Sequence, residues 1–203
     1  MKNDGSAVAW GHKDQADASG VDLSSGVVAA MCGRACVAVK NAGSAVAWGE
    51  TLVGGDTSGV DLASGVTTAM CGDHACVAVK DDGSAVAWGH TKAGGDASGV
   101  DLSSGVVSAM CGGYACVAVK ADGSAVVWGD PARGGEADLS SGVATAMCGW
   151  EACVAVKEDN SAVAWGYKSA GGDAAGTSML PDIITADITS GVIAAAAGED
   201  AKR

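Results

Sequence analysis

The chain has no phenylalanine and only two tyrosines, so the 48% apolar share of its 203 residues rests mainly on alanine and valine. That share is too high for an intrinsically disordered chain, yet the core must be made of small side chains. Basic residues are also scarce: 12 Lys and Arg stand against 24 Asp and Glu, and the net charge is −12. Such a balance repels nucleic acid and anionic lipid, which excludes both as expected partners and favours a protein partner of basic character. No apolar run approaches the roughly 18 residues that a membrane span needs. The first twenty residues have neither the basic and apolar regions of a secretory signal nor the Arg-rich character of a transit peptide. The chain as given therefore carries no legible address or anchor.

What is present is a repeat. Ala75–Gly89, ACVAVKDDGSAVAWG, reads as a strand, a tight turn and a second strand closing on Trp-Gly. It recurs with few changes at Ala35–Gly49, Ala115–Gly129 and Ala152–Gly166, and a half copy stands at Asn3–Gly11. Trp10, Trp48, Trp88, Trp128 and Trp165 are spaced 38, 40, 40 and 37 residues apart, and all five are expected to be structural. A fixed period of this length signals a repeat architecture, in which function lies in what varies between copies.

Within one copy, Ser104–Gly112 reads as a first strand, Ala115–Lys120 as a second and Ser124–Trp128 as a third. Alternation sends Val77 and Val79 to one side of the second strand, Cys76 and Ala78 to the other. In the third strand Val86 and Trp88 oppose Ala85 and Ala87. The expectation is a sheet with one large and one small apolar face, the large face of each copy pressing on the small face of the next. Three short strands per period near 40 fit a β-propeller blade. The fold class is therefore all-β, a propeller of about five blades in one domain over 1–203. Four repeats fall at 24–49, 64–89, 104–129 and 141–166, and the termini share a closing blade from 190–203 plus 1–11. An insertion at 174–186, with Ile183, Ile184, Ile188 and Ile193 in this C-terminal part, departs from the pattern.

The phrase SGVVSAMCGGYACVAVKADGSAVVWG resembles the repeat of the regulator of chromosome condensation superfamily. In repeat shape it is similar to the bacterial β-lactamase-inhibitor protein II propeller. The resemblance covers Ser24–Gly166 and again Ser190–Gly198. It departs at Ala35, Ala75, Ala115 and Ala152, which stand where His is common, and in a count of five blades instead of seven. It implies a propeller whose function is open among protein scaffold, enzyme-inhibitor-like binder and exchange factor for small GTPases. The arms used for the last have no counterpart here. The link Gly94–Ser98 resembles repeat arrays of algal proteins, which adds an accessory subunit of a large, photosynthetic assembly to the alternatives.

Four cysteine pairs, Cys32/Cys36, Cys71/Cys76, Cys111/Cys116 and Cys148/Cys153, flank the turn between first and second strands. Three readings are open: small buried residues, disulfides within each hairpin, or a metal site, the last poorly supported by the spacing. His12, His74 and His90 fall on different repeats with no nucleophile or carboxylate at a spacing that would form a triad. Neither a phosphate-binding glycine motif nor a calcium nonapeptide occurs, though Asp56, Asp96 and Asp173 recur in the links. No catalytic, cofactor or metal residue is assigned. Lys40, Lys80, Lys120 and Lys157 recur at the end of the second strand, with Lys2 as a fifth candidate, and read as a solvated rim or as partners of the acidic links.

The variable turn between the cysteines holds Arg34, Asp73-His74, Gly113-Tyr114 and Trp150-Glu151. Tyr, Trp and Arg are the residues that anchor interfaces. Because the tips follow the same strand in every copy, rotational symmetry places Arg34, His74, Tyr114 and Trp150 on one rim, as a partner-binding set or as plain loop surface. Lys92 is expected on the opposite rim.

Overall fold

The computed structural model describes residues 2–11 and 17–172. Four antiparallel sheets of three strands follow one another in chain order. The first is β1 (Val27–Cys32), β2 (Ala35–Lys40) and β3 (Ala45–Gly49), the second β4 (Val66–Cys71), β5 (Ala75–Lys80) and β6 (Ala85–Gly89). The third is β7 (Val106–Cys111), β8 (Ala115–Lys120) and β9 (Ala125–Gly129), the fourth β10 (Val143–Cys148), β11 (Ala152–Lys157) and β12 (Ala162–Gly166). In each the second strand lies in the middle.

The turn between second and third strands is held by two devices. Gly43, Gly83 and Gly123 take φ of 79°, 78° and 78°, and Asn160 takes 65° in the fourth copy, the one non-glycine residue with positive φ among those described. Asn tolerates this left-handed region better than other side chains. One residue earlier, Asp82, Asp122 and Asp159 each accept a hydrogen bond from the backbone N–H of the Ser two residues on, at 2.8–2.9 Å. A short carboxylate bonding its own chain in this way makes the turn without help from the rest of the fold.

The register shows what shares a face. Val37 lies opposite Ala47 and Val39 opposite Ala45, while Cys36 lies opposite Trp48 and Ala38 opposite Val46. The other three sheets repeat these partners, with Val127 for Ala at one place. The expectation of one large and one small face is thus corrected: each face sets large residues of one strand beside small residues of its neighbour. Antiparallel pairing puts directly opposed side chains on the same side, so large and small alternate across the face instead of segregating.

Successive sheets stack through these faces. Val37, Val39 and Ala45 of the first sheet pack with Cys76, Ala78 and Trp88 of the second. Val77, Val79 and Ala85 pack with Cys116, Ala118 and Trp128, and Val117, Val119 and Ala125 with Cys153, Ala155 and Trp165. Leu62, Leu102 and Leu139, from the links, close the outside of the three joints. Each buried valine contributes ~1.5–3 kcal/mol, enough for cores without phenylalanine. The indole N–H groups of Trp88, Trp128 and Trp165 donate to the carbonyls of Gly54, Gly94 and Gly134 at 2.8–2.9 Å, so these buried rings have their polar edge satisfied.

Residues 2–11 take the place of a third strand in front of the first sheet. Ala7 N–H donates to Leu23 O at 2.9 Å, as Ala45 does to Leu62 O at 2.8 Å. Ala7 and Ala9 pack on the cluster of Leu23, Val27, Cys36, Ala38 and Trp48. The expectation of a structural role for all five tryptophans is corrected at Trp10, which is 84% exposed where the other four are at most 8%. Trp88, Trp128 and Trp165 are covered by the valines of the preceding sheet, and Trp48 shares a cluster with Ala7 and Ala9, whereas no described residue stands in front of Trp10. The insertion at 174–186 and the 190–203 part of the closing blade lie outside the described residues, as do His12, Asp173 and the four isoleucines.

Candidate functional site

The turns between first and second strands meet along one rim because of glycine. A Cβ on Gly33 would collide with the carbonyl of Gly72, one on Gly72 with that of Gly112, and one on Gly112 with that of Gly149. Bare backbones can therefore touch, and hydrogen bonds link them: Asp73 N–H donates to Gly112 O at 3.2 Å and Gly113 N–H to Gly149 O at 2.9 Å. The residues that follow these glycines are drawn together as a result.

Arg34, His74, Tyr114 and Trp150, expected on one rim, form one continuous stack. Arg34 Nη1 lies 3.4 Å from His74 Nε2, and His74 Nδ1 lies 2.7 Å from Gly113 O. The imidazole that satisfies both contacts carries its proton on Nδ1, donates to the carbonyl and accepts from the guanidinium. Its ring stacks on Tyr114 with centroids 4.8 Å apart and planes at 27°. Tyr114 in turn meets Trp150 edge to face at 5.4 Å and 84°. Arg133 lies 4.2 Å from the Tyr114 ring centre. Two ion pairs frame the stack, Arg34 with Glu50 at 2.8 Å and Arg133 with Glu151 at 3.1 Å. Trp150 stays 53% exposed, so the stack ends in an accessible indole.

A second row escaped sequence reasoning. Glu50, His90, Asp130 and Tyr167 hang beside the tips through hydrogen bonds from their N–H groups to Arg34 O, His74 O, Tyr114 O and Glu151 O. The His90 ring is 6.3 Å from that of His74, and Tyr167 is 51% exposed. The signal was present: these are the variable residues immediately after each Trp-Gly. The same geometry corrects Lys92. Its turn, Thr91–Ala93, starts from His90, which puts Lys92 on the tip rim and not on the opposite one.

Each cysteine pair is bonded across its hairpin, Cys32–Cys36, Cys71–Cys76, Cys111–Cys116 and Cys148–Cys153, between directly opposed residues with Cα atoms 4.0 Å apart. These bonds sit under the tips and tie both stems of each turn. At the far end of the second strands, Lys40, Lys80 and Lys120 pair with Asp22, Asp61 and Asp101 at 3.0–3.2 Å. The Ser103 hydroxyl and N–H, with Lys120, draw the Asp101 carboxyl down to about 2, and the Ser24 groups and Lys40 lower that of Asp22 further still. Asp56 and Asp96 accept from the N–H of Ser58 and Ser98. Both ring nitrogens of His74 are engaged, which suits recognition better than proton transfer.

No family model matches the chain, and no curated protein does. Solved structures do. The ectodomain of the receptor kinase CR4 from Physcomitrella patens superposes with a TM-score of 0.55 at 16% identity, over 75% of this chain and 46% of that one. Yeast RCC1 (Prp20), crystallised with Kap60, gives 0.54 at 17% identity, over 69% and 43%. The CRINKLY WD40 ectodomain of ACR4 from Arabidopsis thaliana gives 0.51 at 17%, over 69% and 49%. At these identities the likeness shows the fold, which is the RCC1-type repeat β-propeller. The chain spans less than half the length of each of these three structures.

Proposed function

We propose that this protein is a non-catalytic protein-interaction module, a scaffold or accessory subunit, that binds a basic protein through its tip rim. The observation that carries the reading is the unbroken run Arg34–His74–Tyr114–Trp150, in which four copies of one scaffold contribute four different side chains to a single patch. Aromatic and arginine side chains held rigid by mutual stacking lose little freedom on binding, which is what interface anchors require. The net charge of −12 suits a basic partner, while Glu50, Asp130 and Glu151 beside the patch are paired with Arg34 and Arg133 and hold those side chains in place. Among proteins of this fold, Prp20 has been crystallised with Kap60, and its binding to Gsp1p and histones is described alongside another of its structures.

The test starts from a partner captured with the intact chain and purified. Tyr114→Ala and Trp150→Ala should each weaken its binding by about 2 kcal/mol or more, whereas Glu158→Ala, at a turn of the other rim, should change it little. Association should also slow as salt rises. A folded Tyr114/Trp150 double variant that keeps its partner at unchanged affinity would reduce this rim to ordinary loop surface.

A further inference from the structure

The four tip turns are not joined alike. Between the second and third turns Asp73 N–H donates to Gly112 O at 3.2 Å, and between the third and fourth Gly113 N–H donates to Gly149 O at 2.9 Å. The first turn is one residue shorter: Cys32 and Cys36 are 4 apart in sequence, where the other pairs are 5 apart. Glu50 N–H meets Arg34 O as His90 N–H meets His74 O, so Arg34 stands in the place of His74 and the place of Asp73 is the one that is missing. With it goes the backbone bond. Among the described residues no backbone hydrogen bond joins the first turn to the second, and the polar contact between them is that of Arg34 Nη1 with His74 Nε2 at 3.4 Å.

This substitute depends on a proton. Gly113 O, 2.7 Å from His74 Nδ1, can only accept, so Nδ1 carries a hydrogen and Nε2 of the neutral ring turns its lone pair to Arg34. A second proton can go only to Nε2. The ring then has a donor on each nitrogen, the guanidinium has no acceptor to offer, and two cations face each other where a hydrogen bond had been. Imidazole is the side chain that ordinarily changes charge between roughly pH 8 and 5. The surroundings decide which side yields. His74 is held by Gly113 O and by the stacked ring of Tyr114, with Trp150 5.8 Å away, whereas Arg34 has a second partner in Glu50 at 2.8 Å, on the link after the first sheet. On the link after the second sheet His90 faces the ring at 6.3 Å and Lys92 follows; Asp73 precedes His74 on its own turn. Arg133, on the link after the third sheet, faces Tyr114 and is paired with Asp130 and Glu151. Among the described residues no carboxylate forms an ion pair with His74, so nothing offsets the new charge.

We propose that His74 makes the tip rim sensitive to pH: with a neutral ring the run is continuous from Arg34 to Trp150, and with a protonated ring Arg34 separates and turns to Glu50 alone. The third and fourth turns, joined by backbone, do not respond. The consequence for a partner rests on the binding face proposed above; the opening of the rim does not.

The rim itself is therefore the readout. In the isotope-labelled full chain, nuclear magnetic resonance follows the ring nitrogens of His74 and the cross-relaxation between its ring protons and the Arg34 side chain. At roughly pH 8 the hydrogen is expected on Nδ1 with Arg34 in contact; by about pH 5 Nε2 is protonated and the contact is lost, with one midpoint for both changes. The contact of His74 with Tyr114 persists throughout. His74→Gln, which does not titrate, should show no acid step at Arg34, and His90→Gln should keep it. An Arg34 contact that survives protonation of Nε2 overturns the proposal, as does a hydrogen on Nε2 at the higher pH, a ring still neutral at the lower one, or a step that persists in His74→Gln. A partner whose affinity stays the same at both pH values while Arg34 separates would count against the proposed binding face and leave the switch standing.

Discussion

The joint between the second and third sheets and the front of the first sheet are made from nearly the same letters, yet they differ in almost every physical property. In the joint, Trp128 is 4% exposed and its indole N–H is bonded to Gly94, Cys111 is 5% exposed, and valines fill the space between. At the front, Trp10 is 84% exposed, Cys32 is exposed, and a groove takes the place of the valines. Identical sequence does not carry identical stability in a repeat array. Each copy contributes half an interface, and its worth depends on whether a neighbour supplies the other half.

The largest effect that would test this contrast is at the tryptophans. Trp128→Ala removes a ring from a filled joint and should destabilise by about 3–5 kcal/mol, while Trp10→Ala removes an exposed ring and should cost less than about 0.5 kcal/mol. Urea denaturation of the two variants decides it, and equal losses would break the comparison.

The disulfides come next. Each closes a short hairpin loop and should contribute about 2 kcal/mol. Cys71, Cys111 and Cys148 are at most 8% exposed, whereas Cys32 is open to solvent, so mild reductant should open Cys32–Cys36 first. Alkylation under native conditions followed by peptide mass mapping should label Cys32 and Cys36 well before the other six. Uniform labelling would mean that the front face is as well covered as the joints.

The smallest effect is one that the two regions share. Asp22 at the front and Asp101 within the array both have lowered carboxyl pKa values, through bonds to the serine two residues on and to a lysine. A depressed folded pKa contributes stability that is complete above the unfolded value of 3.8 and is lost as pH falls through the folded one, about 2 for Asp101. Both carboxylates are solvent-exposed, so the contribution is small. Asp101→Asn should flatten the acid limb of the stability curve between roughly pH 4 and 2, and Asp22→Asn should do the same down to lower pH. A difference in kind between the two would show that the turns, too, depend on their neighbours.

Much of this was legible in the chain. The three strands, the positive-φ turn at Gly43, Gly83, Gly123 and Asn160, and the gathering of Arg34, His74, Tyr114 and Trp150 on one rim all follow from local rules and strict repetition. The distribution of size across each face was not, because alternation assigns sides within one strand and only the register says which residues of two strands share a side. Glu50, His90, Asp130 and Tyr167 were missed because their place beside the tips comes from a hydrogen bond across 16 residues of chain, as from Glu50 to Arg34, and not from any periodic pattern. Lys92 was put on the wrong rim for the same reason.

By itself, then, the sequence determined the unit: turn chemistry at Asp-x-Ser and Gly, alternating apolar strands, and a period that forces copies to stack, all of which act within a few residues or through identity of repeats. The tertiary structure decided which of the identical units is complete. Burial of Trp128 and exposure of Trp10 are written in the same Trp-Gly, and what separates them is that a preceding sheet, through Val77, Val79 and Ala85, covers the one while no described residue covers the other, since apolar side chains gain stability only from the surface that covers them.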